Sequence, residues 1–229
     1  GAPADVSAIA ALLAKAERPL LIVGGRVDSP QGRKALAAAA RALAVPVVAS
    51  FKRQDIFDNA DPLYAGHLGF KIPRPQVALY EEADLILAVG TRLGETPTQG
   101  YPFPLAPTPH QPLVHVHDDP AKIGRVYATT HALIADPVAF LSALADAKPS
   151  APKTRQAWIA RLNDYVRSGQ PWTEPEDGKL DMGAVVAAYA GRVAADAAFV
   201  MDAGNFSGWL HKHFVFKPDN LIIGCIGGA

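Results

Sequence analysis

The sequence predicts an α/β fold, in which an open parallel sheet flanked by helices is followed by an incomplete second α/β unit. Between residues 5 and 116, apolar helical stretches alternate with short continuous apolar runs, as in βαβ units whose strands are buried on both faces. Two of these runs pass directly into glycine, as strands do where a ligand approaches the backbone. With 229 residues, 49% of them hydrophobic, the chain can bury one sizeable core and part of a second.

The elements of the first unit follow from this pattern in order. The alanine-rich segment 32–43 and the segment 138–147 have helical spacing. The segment 101–112 is a proline-rich loop. Apolar runs predict strands at residues 20–23, 45–49, 85–89 and 113–116, with a short edge strand at 132–134.

The ends of these strands predict a ligand crevice. In open α/β sheets, ligands bind outside the carboxyl ends of the strands, where loop amides and helix N-termini converge. Gly24, Ser50, Gly90 and His117 each follow a predicted strand. We therefore expect the loops that begin at these four residues to line the crevice.

A proline-broken segment, Lys148-Pro-Ser-Ala-Pro-Lys-Thr154, predicts the end of the first unit. We expect three parts: a central nucleotide-binding-like domain at 1–147, a linker with a helix around Trp158 at 148–178, and a second unit at 179–229. The second unit is predicted to contain a helix at 182–193, a strand at 198–202, a helix at 207–214 and a strand at 221–223. One strand-helix-strand unit cannot close a sheet, so we expect the chain to be a piece of a longer protein.

Composition excludes several classes of partner. Lys+Arg and Asp+Glu are balanced at 22 each, so there is no excess positive charge to hold a nucleic acid. The longest apolar runs are far shorter than the roughly 20 residues of a membrane helix, and no secretory signal begins the chain. We expect a cytoplasmic protein without a membrane partner. The single cysteine, Cys225, cannot form an internal disulfide and is expected to be a buried thiol.

Several segments together resemble a known family. They read Arg18-Pro-Leu-Leu-Ile-Val-Gly-Gly25, Ala83-Asp-Leu-Ile-Leu-Ala-Val-Gly-Thr-Arg92, Val114-His-Val-His-Asp-Asp-Pro-Ala-Lys-Ile-Gly124, Asp202-Ala-Gly-Asn-Phe-Ser-Gly-Trp209 and Gly224-Cys-Ile-Gly-Gly-Ala229. In order and spacing, the first three resemble the central domain of acetolactate synthase-like thiamine-diphosphate enzymes. The last two resemble the start of that family's diphosphate-binding domain.

The resemblance implies an enzyme, a lyase or transferase, that acts on a 2-oxo acid by decarboxylation or carboligation. It implies thiamine diphosphate and Mg²⁺ as cofactors and a homo-oligomer for the complete protein. The family's activating glutamate would lie before Gly1, and its metal-binding residues would lie beyond Ala229. We therefore expect no catalytic residue and no metal ligand in this chain, and no activity from it alone.

The resemblance also implies two sets of binding residues. Those that match the thiamine diphosphate site are Ala203, Gly204, Asn205, Phe206, Gly224 and Ile226, with Ile226 as the apolar support beneath the thiazolium ring. Asn205 and Phe206 depart from the Gln-His pair of acetolactate synthases. Those that match a nucleotide crevice are Gly24, Gly25, Ser50, Phe51, Gly90, Arg92, His117, Asp118 and Asp136.

Relatives hold FAD, ADP or no ligand in that crevice. Leu93-Gly94-Glu95 and His117 replace the acidic and aromatic residues of the flavin-containing relatives, which favours an emptied or repurposed site over bound FAD.

The residues alone are also compatible with other functions. The crevice could belong to a module for FAD, ADP or NAD without thiamine chemistry, or the fold could be retained as an oligomerisation scaffold. The segment 182–229 favours the thiamine enzyme, because a nucleotide module has no need of it. Two pairs of histidines, at 115 and 117 and at 211 and 213, lack a third ligand at zinc spacing.

Overall fold

The structure is a computed structural model that describes residues 3–69, 72–171, 173, 181–202 and 204–224. Its larger unit is a six-stranded sheet in which all neighbouring strands are parallel, in the spatial order β3-β2-β1-β4-β5-β6. The strands are β1 (Pro19–Val23), β2 (Val47–Ala49), β3 (Tyr64–His67), β4 (Leu85–Val89), β5 (Leu113–His117) and β6 (His131–Ile134). The predicted open parallel sheet is confirmed, and its strand order reverses between β1 and β4.

Helices cover both faces of this sheet. They are α1 (Pro3–Lys15), α2 (Pro30–Leu43), α3 (Arg74–Glu81), α4 (Pro137–Ala147) and α5 (Arg155–Gly169). Along β1, Leu21 and Val23 pack with α1, α2 and α4, while Leu20 and Ile22 pack with α3 and α5. The strands are therefore buried on both sides, which explains why they read as continuous apolar runs in the sequence.

Local signals in the sequence set the helix ends. The Ser29 hydroxyl accepts a hydrogen bond from the amide of Gly32 at 3.0 Å, and Pro30 occupies the first turn of α2. Asp136 caps α4 in the same way through the amide of Ala139. The strand predicted at 45–49 begins only at Val47, because the Val45 amide still bonds to Ala40 at the end of α2.

The predicted linker helix, α5, lies against the large sheet. The Trp158 indole donates a hydrogen bond to the Pro19 carbonyl at 3.0 Å, and the Asn163 amide donates one to the Tyr64 carbonyl at 2.9 Å. Arg155, at the first position of α5, is fully buried beneath α1 and α2. Long-range polar contacts therefore hold the segment after the proline-broken boundary against the first unit.

The second unit contains α6 (Met182–Ala190), β7 (Ala198–Met201), α7 (Phe206–His213) and β8 (Leu221–Gly224). The two strands pair in parallel, and Val186, Met201, Phe214, Phe216 and Ile222 form a small core. The helix predicted at 182–193 ends at Ala190, because the chain turns at Gly191 and Arg192. Cys225 lies outside the described residues. None of the helices in the described ranges has the length and apolar character that a bilayer crossing requires.

Candidate functional site

A crevice of about 740 Å³ lies at the carboxyl ends of the sheet strands. Its walls come from the loops after β1, β2, β4 and β5 and from Gly224 at the end of β8. The reversal of strand order between β1 and β4 opens this space, because the helices that follow the two strands leave toward opposite faces. The volume falls within the range of small-molecule and cofactor sites.

The crevice carries more positive than negative side chains. Its described lining includes the cations Arg26, Lys52, Arg53, Arg92 and Lys122 and the carboxylates Glu95, Asp118 and Asp119. Most of these cations come from loops that directly follow a strand, so they face the same opening. An anionic ligand would therefore meet a positive field in a partly enclosed space.

An ion pair crosses the crevice above the end of β4. The Arg26 guanidinium, from the β1 loop, makes a two-pronged contact with Asp118, from the β5 loop, with its Nε 3.0 Å from Asp118 Oδ1. The hydrogen bond from Arg26 holds the pKa of Asp118 below its usual range. An anionic ligand that binds Arg26 would therefore share the guanidinium's hydrogen-bond donors with Asp118.

Neutral polar groups form the floor of the crevice. The Ser50 and Thr91 hydroxyls are 3.3 Å apart, and the buried His115 ring lies 2.8 Å from the Thr91 carbonyl. The ring of His117 accepts a hydrogen bond from the Asp119 amide at 3.0 Å. Burial lowers the pKa of both histidines, so they are neutral at neutral pH and add no positive charge to the crevice.

Most of the residues matched to the nucleotide crevice lie on its walls. These are Gly25, Ser50, Phe51, Gly90, Arg92, His117 and Asp118. Gly24 lies behind the wall, where its amide bonds to the Val89 carbonyl at 3.0 Å. Asp136 does not line the crevice either, because its carboxylate caps α4, although its charge helps to raise the pKa of Arg26.

Several charged wall residues were not among those predicted to line the crevice. These are Arg26, Lys52, Arg53, Glu95, Asp119 and Lys122. A signal was available, since Arg26, Lys52 and Arg53 each lie within a few residues of a predicted strand end. Reading each loop beyond its first residue would have found them.

Close packing at the end of β1 requires glycine at position 24. Gly24 has an extended backbone with φ −122°, so its conformation alone would suit any residue. A Cβ there would lie 2.5 Å from both the Gly90 carbonyl oxygen and the Thr91 Cα, which are backbone atoms. The β1 and β4 ends can approach so closely only because no side chain separates them.

We expect Gly24→Ala to lower the free energy of unfolding by about 1–3 kcal/mol, because one strand end must shift to admit the methyl group. Urea denaturation measures this change. Gly94→Ala is the matched control on the crevice wall, since a Cβ at Gly94 meets nothing within 4 Å. Equal unfolding midpoints for the two variants would contradict the close packing.

A second candidate site lies at the carboxyl edge of the small sheet. In the parallel pair, Met201 of β7 aligns with Gly224 of β8, so both strands end at one edge of the small sheet. The N-terminus of α7 opens there. Asn205, which precedes the helix, makes no capping hydrogen bond with its side chain. Gly204 has φ +153°, and Phe206 is 45% exposed.

The described part of the thiamine-matched set consists of Gly224, which pairs with Met201 at the end of β8, and of Gly204, Asn205 and Phe206, which lie three to five residues after Met201. Ala203 and Ile226 lie outside the described residues. Within the described ranges, no group of three His, Cys, Asp or Glu side chains could hold a metal ion.

Comparison with known proteins identifies the family. The family described as thiamine pyrophosphate enzyme, central domain, matches residues 6–144. The acetolactate synthase large subunit of Parasynechococcus marenigrum is 30% identical over 225 residues, which cover 96% of this chain and 36% of that protein. Acetolactate synthase isozyme 2 large subunit of Escherichia coli is 29% identical over 96% of this chain and 39% of its own length.

A further relative matches a shorter part of the chain. The sulfoacetaldehyde acetyltransferase of Castellaniella defragrans is 38% identical over 94 residues, which cover 41% of this chain and 16% of that protein. The chain spans little more than a third of the length of the two acetolactate synthase relatives. The family match covers more than half of the chain and coincides with the six-stranded unit. The chain therefore belongs to the thiamine pyrophosphate enzymes, and residues 6–144 are its central domain.

Proposed function

We propose that the complete protein is a thiamine-diphosphate- and Mg²⁺-dependent enzyme that decarboxylates a 2-oxo acid or joins its remaining carbon unit to an acceptor. The observation that carries this proposal is the edge of the small sheet, where Gly224 ends β8 and α7 begins without a capping hydrogen bond from Asn205, in a chain whose central domain belongs to the thiamine pyrophosphate enzymes. Relatives named as synthase and acetyltransferase support a lyase or transferase.

The residues at this edge suit a diphosphate. The first amides of a helix carry partial positive charge and lack intrahelical partners, so they attract an anion. The Asn205 side chain makes no capping hydrogen bond, so we propose that a diphosphate accepts hydrogen bonds from these amides. We assign Ala203, Gly204, Asn205 and Phe206 to the diphosphate.

Gly224, the last residue of β8, lies at the same edge. We propose that Gly224 allows the backbone to approach the cofactor closely. We propose that Ile226 is the apolar support beneath the thiazolium. Bound thiamine diphosphate supplies a thiazolium that stabilises negative charge on the substrate carbon. The chain's own residues orient this group and exclude water. The activating glutamate and the Mg²⁺ ligands belong to other parts of the complete protein, which we propose to be a homo-oligomer.

The test compares the complete protein with the 229-residue chain. With added thiamine diphosphate and Mg²⁺, the complete protein is expected to release CO₂ from one or more 2-oxo acids, and to lose this activity when the cofactor is withheld. The chain alone is expected to show only the background rate. A complete protein that binds no thiamine diphosphate would refute the proposal, and turnover by the chain alone would refute our placement of the catalytic groups.

The central crevice supports a second, compatible function. Its positive walls and its position at the strand-order reversal favour an anionic ligand such as a nucleoside diphosphate. We propose that this ligand is not a flavin, because Leu93-Gly94-Glu95 and His117 stand where flavin-containing relatives have acidic and aromatic residues.

We expect the purified chain to lack the absorbance band of oxidised flavin at about 450 nm. The measurement is a visible spectrum of the protein and of the supernatant after acid precipitation, which would release a bound flavin. A matched titration with ADP and AMP, followed by thermal unfolding, then tests for a diphosphate ligand. A yellow cofactor retained at one equivalent per chain would contradict the proposal.

A further inference from the structure

A buried polar joint connects the central domain to the second unit. Asp55, in the loop after β2, is 1% exposed. Its Oδ2 accepts a hydrogen bond from the backbone amide of Ile222 at 2.9 Å. Since Ile222 lies within β8, a side chain of the central domain directly holds a strand of the other unit.

Arg33 reinforces this joint from α2. Its Nη2 donates to the same Asp55 oxygen at 2.5 Å, and its Nη1 donates to the carbonyls of Pro218 and Asn220 at 3.1 and 2.9 Å. One planar guanidinium therefore fixes Asp55 and the turn before β8 together. Asp28 also accepts a hydrogen bond from Arg33, at 3.0 Å, but within the described ranges it forms no hydrogen bond or ion pair with the second unit.

Asn59 makes the third contact across the joint. Its amide donates to the Phe216 carbonyl at 2.9 Å, and its side-chain oxygen accepts from the Phe216 amide at 3.3 Å. Phe216 is fully buried in the small core. The loop at 54–59 thus contacts the segment before β8 at one end and β8 itself at the other.

This joint lies between the two candidate sites. The same loop region carries Lys52 and Arg53, which line the central crevice. Gly224 follows Ile222 by two residues, and a Cβ at Gly224 would lie 2.9 Å from Lys52 Cδ. The position of Gly224 is therefore fixed from the central domain, by polar contacts to the backbone of β8 and of the segment before it.

We propose that Asp55, held by Arg33, is a positioning residue for thiamine diphosphate: by fixing the Ile222 amide, it sets the position of Gly224 at the end of β8. This proposal rests on the proposed function. Asp55 is buried, and its Oδ2 accepts hydrogen bonds from both Arg33 and the Ile222 amide. Charge-assisted hydrogen bonds are stronger in a buried environment than at an exposed surface, so these contacts hold β8 in one position.

The test uses the complete protein and two variants of the joint. Asp55→Ala removes the acceptor for the Ile222 amide. Arg33→Lys is the milder second variant, because one ammonium cannot serve Asp55 and two carbonyls in the geometry of the guanidinium fork. Asp28→Ala is the matched control, since it removes a carboxylate from the same guanidinium without touching the segment 214–224.

Two quantities are measured: the Kd of thiamine diphosphate in the presence of Mg²⁺, by titration calorimetry, and hydrogen exchange of peptides covering β8, β1 and β4. In Asp55→Ala and Arg33→Lys we expect the Kd to rise about tenfold or more, which corresponds to about 1.4 kcal/mol. Exchange in β8 should accelerate while exchange in β1 and β4 stays unchanged. The Asp28→Ala control is expected to keep the Kd within about twofold of wild type.

Other outcomes overturn the proposal. Faster exchange in β8 with an unchanged Kd in both variants would make the joint a structural contact only. Equal acceleration in β1, β4 and β8 would make it an ordinary contributor to overall stability. Wild-type protein that binds no thiamine diphosphate would refute the proposed function itself, and this result would be seen before any variant is made.

Discussion

Replacement of Arg155 by alanine is expected to lower the free energy of unfolding by roughly 3–5 kcal/mol, because a fully buried cation holds three backbone carbonyls together. Its Nη1 donates to the Leu43 carbonyl at 2.7 Å, its Nε and Nη2 donate to the Ala16 carbonyl at 3.2 and 2.6 Å, and Nη2 also reaches the Leu13 carbonyl. These carbonyls lie in or near the last turns of α1 and α2, where no intrahelical donor is available.

The chemistry of this site explains why the charge is tolerated. Burial lowers the pKa of Arg155, but the negative ends of two helix dipoles and several hydrogen bonds stabilise the cation. Without the guanidinium, the carbonyls remain buried without partners and a cavity opens beneath α5. Arg155→Lys is expected to fall between wild type and Arg155→Ala, because an ammonium cannot span carbonyls from two helices.

Urea denaturation, followed by the fluorescence of the nearby Trp158, measures the effect. Arg161→Ala is the control within the same helix, since Arg161 pairs with Glu82 at the surface. Its midpoint should stay close to that of wild type. If Arg155→Ala also unfolded at the wild-type midpoint, the buried carbonyls would have found other partners and our account of α5 would be wrong.

Acid is expected to destabilise the protein through a half-buried pair of histidines. His67, at the end of β3, and His211, in α7, meet edge to face with ring centroids 5.7 Å apart. Burial lowers the pKa of His67 to about 3, and the proximity of His211 lowers it further. Burial lowers the pKa of His211 to about 4, and the positive charge of Lys52 adds to this effect. Both rings are therefore neutral in the folded protein.

The direction of the pH effect follows from these values. In the unfolded chain both histidines take up protons near pH 6.5, whereas in the folded protein they resist protonation down to about pH 4. The contribution of this pair to the free energy of unfolding is fully present above about pH 6.5 and is lost as the pH drops toward about 4. We expect a loss of roughly 2–4 kcal/mol between pH 7 and pH 5, measured by urea unfolding at both values.

Variants separate this pair from other acid-sensitive groups. His115 and His117 act in the same direction, since burial also lowers their pKa values. His67→Gln and His211→Gln should each make stability less dependent on pH, while His110→Gln, at an exposed position, should leave the dependence as in wild type. An unchanged pH dependence in both variants of the pair would contradict its role.

Much of the central domain could be predicted from the sequence because its strands are buried on both faces. Continuous apolar runs located β1, β4 and β5, and the residues that follow them located the crevice. The strand β3 escaped this reasoning, because Tyr64-Ala-Gly-His67 is not an apolar run and forms a strand only by pairing with β2. The helix α3 was also missed, since it has only two buried residues, Gln76 and Tyr80.

The sequence by itself determined the class of fold, the family resemblance that the comparisons confirmed, and the strand ends around which a ligand could bind. These depend on apolar patterns and short motifs, which are local in the chain. Only the tertiary structure decided which polar groups meet. Asp55 and Ile222 are 167 residues apart, and Arg155 and the Ala16 carbonyl are 139 apart. The packing of whole helices and strands determines which of these residues meet. A hydrogen bond between two distant residues produces no repeating pattern in either segment, so the sequence alone does not reveal it.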